Sequence, residues 1–198
     1  WKYRFPTFVL GDGYQAKMRE PVTMYDPADR GIIMEESTPF VGAPGLPGTD
    51  REPALLRNTY NTEDELLKVI NDMAQEYYRI APEIIEYQEF ETTDAEVVIV
   101  AHGVVSRAAQ GAVKELRNMG IKAGHFRPIT LRPFPDKQLR NVADRVKTIL
   151  VVESAYGQLK KLVTDGIYGS TTTIETYFKP GEGITSEEIV ERVNLIKG

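Results

Sequence analysis

Asp94-Ala95-Glu96-Val97-Val98-Ile99-Val100-Ala101-His102-Gly103-Val104-Val105-Ser106-Arg107 is the stretch that decides the fold class. Glu96 to Ala101 is a near-continuous β-branched run, the pattern of a strand buried on both faces. His102-Gly103 makes the turn out of it. Ser106 stands where a cap would open a helix over Arg107 to Met119. Ala109, Ala112, Val113 and Leu116 form the inner face of that helix, and Gly120 occupies the C′ position that favours glycine.

Downstream the pattern repeats. Lys122 to Phe126 reads as a short strand, followed by the Pro-stiffened loop Arg127 to Pro135. Leu139, Val142, Ala143 and Val146 mark a helix, and Thr148 to Glu153 is a second buried-type strand. Leu159, Leu162 and Val163 mark a helix ending at Gly166, and Thr172 to Phe178 alternates as a strand. Thr185-Ser186-Glu187-Glu188 is a capping box that opens a last helix through Ile189, Val193 and Ile196. Strands alternating with helices over 94–198 predict an α/β fold: three layers around a mainly parallel sheet.

Upstream, the signal is different. Thr62-Glu63-Asp64-Glu65 is another capping box, and Leu66, Ile70, Met73 and Tyr77 follow at helical spacing, with an end expected near Ala81-Pro82. Pro and Gly are dense from Pro39 to Pro53, so residues 26–93 are expected to be a Pro/Gly-rich linker and a helix. Residues 1–25 form an irregular extension that begins on a strand-like run, Thr7 to Leu10. There is no initiator Met, and the chain is read as the C-terminal part of a longer polypeptide.

The chain has 198 residues, 41% hydrophobic and 27% charged, with a net charge of −5. That balance argues against nucleic-acid and membrane-surface partners, which favour basic patches. No cysteine is present, which excludes disulfides, thiolate metal sites and cysteine-ligated iron–sulfur clusters within the chain and agrees with a cytoplasmic setting. No apolar run reaches the roughly 20 residues of a membrane span, and no signal peptide is visible.

Gly11-Asp12-Gly13 resembles the start of the metal–diphosphate motif of thiamine diphosphate enzymes. That motif needs an Asn roughly 25 to 30 residues on, as a second side-chain oxygen for Mg²⁺. Here the first Asn is Asn58. The triplet is therefore read as a turn after a strand.

Three blocks carry a more specific resemblance: 94–107, Gly120-Ile121-Lys122-Ala123-Gly124-His125-Phe126-Arg127-Pro128-Ile129-Thr130-Leu131-Arg132-Pro133-Phe134-Pro135, and Val151 to Leu159. Their order and spacing resemble the alpha subunit of the 2-oxoacid:ferredoxin oxidoreductases, of the 2-oxoisovalerate and 2-oxoglutarate types. The resemblance implies oxidative decarboxylation of a 2-oxoacid, acyl transfer to coenzyme A and electron transfer to ferredoxin. It implies thiamine diphosphate, Mg²⁺, iron–sulfur clusters and coenzyme A in the complex, none bound by this chain alone. The diphosphate motif would lie on a beta subunit and the clusters on beta or delta chains, with gamma and delta subunits and a symmetric oligomer as further partners. It also implies that 1–25 is the tail of a truncated pyrimidine-side thiamine domain, and that 94–198 is like the transketolase C-terminal domain. Three departures bear on the substrate subtype. His102 and Arg132 replace residues that are often aromatic and Trp, and Ser154-Ala155-Tyr156 is less Asn-rich than usual.

No residue is assigned a catalytic or metal-binding role. Gly103 and Ser106 are weak candidates for phosphate binding through the turn amides, against the plainer reading of a βα turn with a Ser cap. His102, at a strand end where α/β folds place ligands, is read as structural, and so is His125. Glu153 is read as a carboxylate capping the following turn. Arg127, Pro128, Thr130, Arg132 and Phe134 are the interface candidates, weighed against internal packing, with a carboxylate role for Arg127 ranked below both. Two alternatives stay open: the C-terminal domain of another thiamine enzyme (a transketolase or 2-oxoacid dehydrogenase beta chain), or a stand-alone ligand-binding or assembly module.

Overall fold

A computed structural model of the chain describes residues 2–13, 15–34 and 59–198. The chain divides into two compact units, 1–80 and 81–198. In the first unit the strand expected at Thr7 to Leu10 is absent. Phe8, Val9 and Leu10 are 84%, 95% and 74% exposed, and among the described residues no strand neighbours the apolar run. Gly11-Asp12-Gly13 leads instead into a short 3-10 turn, Gln15–Lys17. The Pro/Gly-rich run from Pro39 to Pro53 lies outside the described residues.

Helix α1 (Glu63–Ile84) starts at the expected capping residue, with Thr62 Oγ1 accepting from the Glu65 amide at 3.3 Å. The reciprocal bond of the box goes one residue further back, to the Asn61 amide at 3.2 Å. The helix runs two residues beyond Pro82. A proline removes one donor without stopping a helix whose last turn is about to end.

The second unit is a five-stranded sheet. Its strands are β1 (Tyr87–Phe90), β2 (Val97–Val100), β3 (Ala123–Pro128), β4 (Thr148–Glu153) and β5 (Thr173–Phe178), in the spatial order β1-β3-β2-β4-β5. β2, β3, β4 and β5 are parallel, and β1 joins β3 antiparallel. The sheet is covered by α2 (Val105–Asn118) and α5 (Ser186–Lys197) on one face and by α3 (Asp136–Ala143) and α4 (Gln158–Gly166) on the other. Side-chain alternation along β2 explains this. Val97, Ile99 and Ala101 enter the α2/α5 core, while Val98 and Val100 enter the α3/α4 core. Three layers around a mainly parallel sheet match the expected α/β class.

β1 is the element that the sequence reading left inside its linker. The sheet therefore reaches upstream of residue 94. Tyr87 stacks on Phe126 at 5.6 Å between ring centres, which holds the added strand to β3. Gly124 permits the close turn that follows it: a Cβ there would sit 2.6 Å from the Glu91 carbonyl oxygen. α2 ends in a full glycine C-cap. The Gly120 amide donates to the Arg117 carbonyl and the Ile121 amide to the Leu116 carbonyl, both at 2.9 Å, with Gly120 at φ 83°.

Candidate functional site

Parallel strands bring their carboxyl ends, and the loops that follow, to one edge of the sheet. Here that edge carries His102 and Gly103 after β2, Arg127 to Phe134 after and at the end of β3, and Glu153 to Gly157 after β4. Neighbours β2 and β4 send their connections to opposite faces, because α2 lies on one side and α4 on the other. This is the switch point where open α/β sheets place ligands.

Ser106 does not cap α2. It is the second helical residue, 5% exposed, and the N-cap residue is Val104, with no side-chain cap. Its hydroxyl lies 2.7 Å from His125 Nε2. His125 is 3% exposed, and its Nδ1 lies 2.9 Å from the Ile99 carbonyl oxygen. A carbonyl only accepts, so Nδ1 carries the proton, Nε2 is the acceptor, and the Ser106 hydroxyl donates. The three groups follow the order of a nucleophile, base and orienting group. They are sealed in the core, however, and they join α2, β3 and β2. Burial above all holds the His125 pKa below its ordinary 6.5, with Arg127 adding to the effect and the Ile99 carbonyl opposing it.

No sequence spacing exposes this chain of contacts. It follows from the parallel register that sets Ile99 beside His125. Gly103, the other phosphate candidate, is exposed at φ 59°, a left-handed turn that suits glycine. Ser106's hydroxyl is committed to His125, so its side chain is not offered to a ligand.

His102 is half-buried. Burial lowers its pKa most, the Glu153 carboxylate pulls it back up, and Arg127 lowers it further. Glu153, 2% exposed, does cap the next helix. Its carboxylate accepts from the Leu159 amide at 2.9 Å and the Lys160 amide at 3.2 Å. The N-cap residue itself, Gly157 at φ 94°, has no side chain to do so.

The interface candidates are divided by the structure. Pro128 is buried, and Phe134 lies in the α3/α4 core. Thr130 is tied to Glu86: its Oγ1 accepts from the Glu86 amide, and its amide donates to the Glu86 carbonyl, both at 3.1 Å. Arg127 is half-buried and donates from Nη1 to Gln88 Oε1 at 3.2 Å. Arg132 is exposed. These residues fix the loop to its own unit and leave Arg132 on the outside.

The described residues do not fit a Mg²⁺–diphosphate group. Asp12 Oδ1 accepts from the Gln15 amide at 3.3 Å, closing the turn, and no group of three metal-ligating side chains occurs among the described residues. Nor, among those residues, is any helix long and apolar enough to cross a membrane.

Residues 95–189 match the family of the pyruvate:ferredoxin oxidoreductase core domain II. The chain is 32% identical over 160 residues to the ketoisovalerate oxidoreductase subunit VorB of Methanothermobacter marburgensis, covering 81% of this chain and 44% of the relative. It is 30% identical over 179 residues to the 2-oxoglutarate synthase subunit KorA of Methanothermobacter thermautotrophicus, covering 80% of this chain and 47% of the relative. Over most of its length the chain is similar to subunits of 2-oxoacid:ferredoxin oxidoreductases.

The fold also resembles a solved 2-oxoglutarate:ferredoxin oxidoreductase from Magnetococcus marinus, which has 2-oxoglutarate, coenzyme A and succinyl-CoA bound. The TM-score is 0.61 at 21% identity, over 78% of this chain and 28% of that one. At that identity the likeness speaks for the fold. The chain spans less than half the length of the curated relatives it matches.

Proposed function

We propose that this chain is part of an alpha-type subunit of a 2-oxoacid:ferredoxin oxidoreductase, and that its 81–198 unit serves assembly rather than bond-breaking. The observation that carries the reading is the match over 95–189, joined to similarity with ketoisovalerate and 2-oxoglutarate oxidoreductase subunits. The site geometry supports the second half of it. Ser106, His125 and Glu153 are each committed to partners inside the fold.

In this reading the whole enzyme cleaves the carboxylate from a 2-oxoacid as CO₂ and transfers the acyl group to the thiol of coenzyme A. The released electron pair passes to ferredoxin and the thiol proton to solvent. A bound thiamine diphosphate would supply the electron sink for decarboxylation. The beta subunit would carry its diphosphate motif, and beta or delta chains would carry the clusters, since this chain has no cysteine. Gamma and delta subunits complete the assembly, which works in the cytoplasm and is a symmetric oligomer. The substrate class is a branched-chain 2-oxoacid or 2-oxoglutarate. Arg132, exposed on the Pro-stiffened loop, is the side chain left to meet another subunit.

The test is made on the full-length chain purified with its co-assembling subunits. Reduction of a viologen dye is followed with 2-oxoisovalerate, 2-oxoglutarate and pyruvate, with and without coenzyme A. Dye reduction that needs both coenzyme A and one of these acids is expected. An assembly that reduces the dye with none of them overturns the proposal.

A further inference from the structure

The two edges of the sheet differ in how they are protected. β1 is four residues long and lies among charges: Glu86, Glu89 and Glu91 stand in or beside it, and Glu89 pairs with Arg145 at 3.7 Å. Short, charged strands are how edges avoid pairing with other chains. β5, Thr173-Ile174-Glu175-Thr176-Tyr177-Phe178, has none of these devices. It contains no proline, its residues are β-branched or aromatic apart from Glu175, and that carboxylate is paired with Arg192 of α5 at 3.5 Å.

The ladder to β4 fixes which backbone groups remain. The Thr173 amide donates to the Lys147 carbonyl at 3.0 Å and the Lys179 amide to the Glu153 carbonyl at 3.2 Å. In a parallel pair, alternate residues bond to one neighbour. Residues 173, 175, 177 and 179 therefore face β4, and Ile174, Thr176 and Phe178 turn their N–H and C=O groups outward. Among the described residues no strand pairs with that side.

We propose that the outer edge of β5 is a self-association surface that pairs antiparallel with β5 of a second copy, about a two-fold axis at Thr176. Centred there, Thr176 meets its own copy, and Ile174 meets Phe178 in both directions. Each outward N–H and C=O of the three residues then gains a partner. The cross-strand pairs formed are Thr–Thr and β-branched–aromatic, both favourable kinds. Glu175 falls opposite Tyr177, so no like charges are opposed. An isologous contact of this type closes at two copies and leaves no free β5 edge to continue a fibre. The inference stands on β5 alone and does not depend on which reaction the enzyme performs.

The test is a charge swap in the full-length chain, read by sedimentation equilibrium. Thr176→Lys and Thr176→Glu each place like charges face to face in the dimer, and neither removes a bond of the chain's own ladder. Each variant alone is expected to associate at least about tenfold more weakly than the wild type, since opposed like charges destabilise a strand pair. An equimolar mixture of the two is expected to recover dimer. Circular dichroism identifies any variant that has not folded. In that case amide exchange of the wild type decides: Ile174, Thr176 and Phe178 amides are expected to be protected in the dimer. Unchanged association in both variants, no recovery on mixing, or fast exchange at those three amides overturns the proposal. Dye reduction by the assembled enzyme is scored separately, so failure of the edge and failure of the oxidoreductase reading are distinguishable.

Discussion

His125 shows what burial does to a chemically capable side chain. Its neutral ring has one donor and one acceptor, and both are used, toward Ile99 and Ser106. Protonation would destroy the acceptor. Because the folded-state pKa lies below 6.5, the unfolded chain binds a proton that the folded chain refuses. The stabilising contribution is thus complete above pH ~6.5 and is lost as pH falls from there toward the folded pKa, at up to about 1.4 kcal/mol per pH unit. His102, lowered chiefly by burial as well, acts in the same direction. Ser106→Ala leaves Nε2 without its donor in the core and is expected to cost about 1–3 kcal/mol. Urea denaturation at a series of pH values from 8 to about 5 measures both effects. A variant as stable as the wild type with an unchanged pH slope would show that the hydrogen bond carries nothing.

At the scale of elements, α4 depends on a residue outside it. Glu153, the last residue of β4, supplies the cap that Gly157 lacks. Glu153→Ala is expected to destabilise the chain by about 2 kcal/mol, the range of a lost cap whose acceptor is charged. Hydrogen exchange at the Leu159 and Lys160 amides should quicken by more than that of β2. Equal changes at both places would mean the cap is not local. Glu153's role was legible in the sequence because a carboxylate that ends a buried strand before a helix has few alternatives. β4 and the capping box of α5 were legible too, since each carries its own pattern: six residues of buried type, and a Thr–Glu pair whose two bonds both form. β1 was not. Tyr87-Gln88-Glu89-Phe90 has neither a long apolar run nor clean alternation, and its strand character comes from pairing with β3. The converse held at Thr7 to Leu10, where a strand-like run has no partner strand among the described residues. The Ser106–His125 contact was illegible because it depends on register between elements, which composition does not encode.

On the scale of the whole molecule, the sheet unit is held by two separate cores, one on each face, built from alternate residues of the same strands. Its carboxyl edge is rich in capable side chains, yet most of them secure neighbouring elements. That distribution suits the assembly role proposed above. His102 is the sharpest test, since it is the histidine at this edge that solvent partly reaches. The deciding measurement is turnover per assembled complex for His102→Ala in the full-length enzyme, with the 2-oxoacid that the wild type uses. An assembly domain predicts turnover within about twofold of the wild type. A loss on the order of a hundredfold or more with the assembly intact, the size of a missing acid–base group, would contradict it.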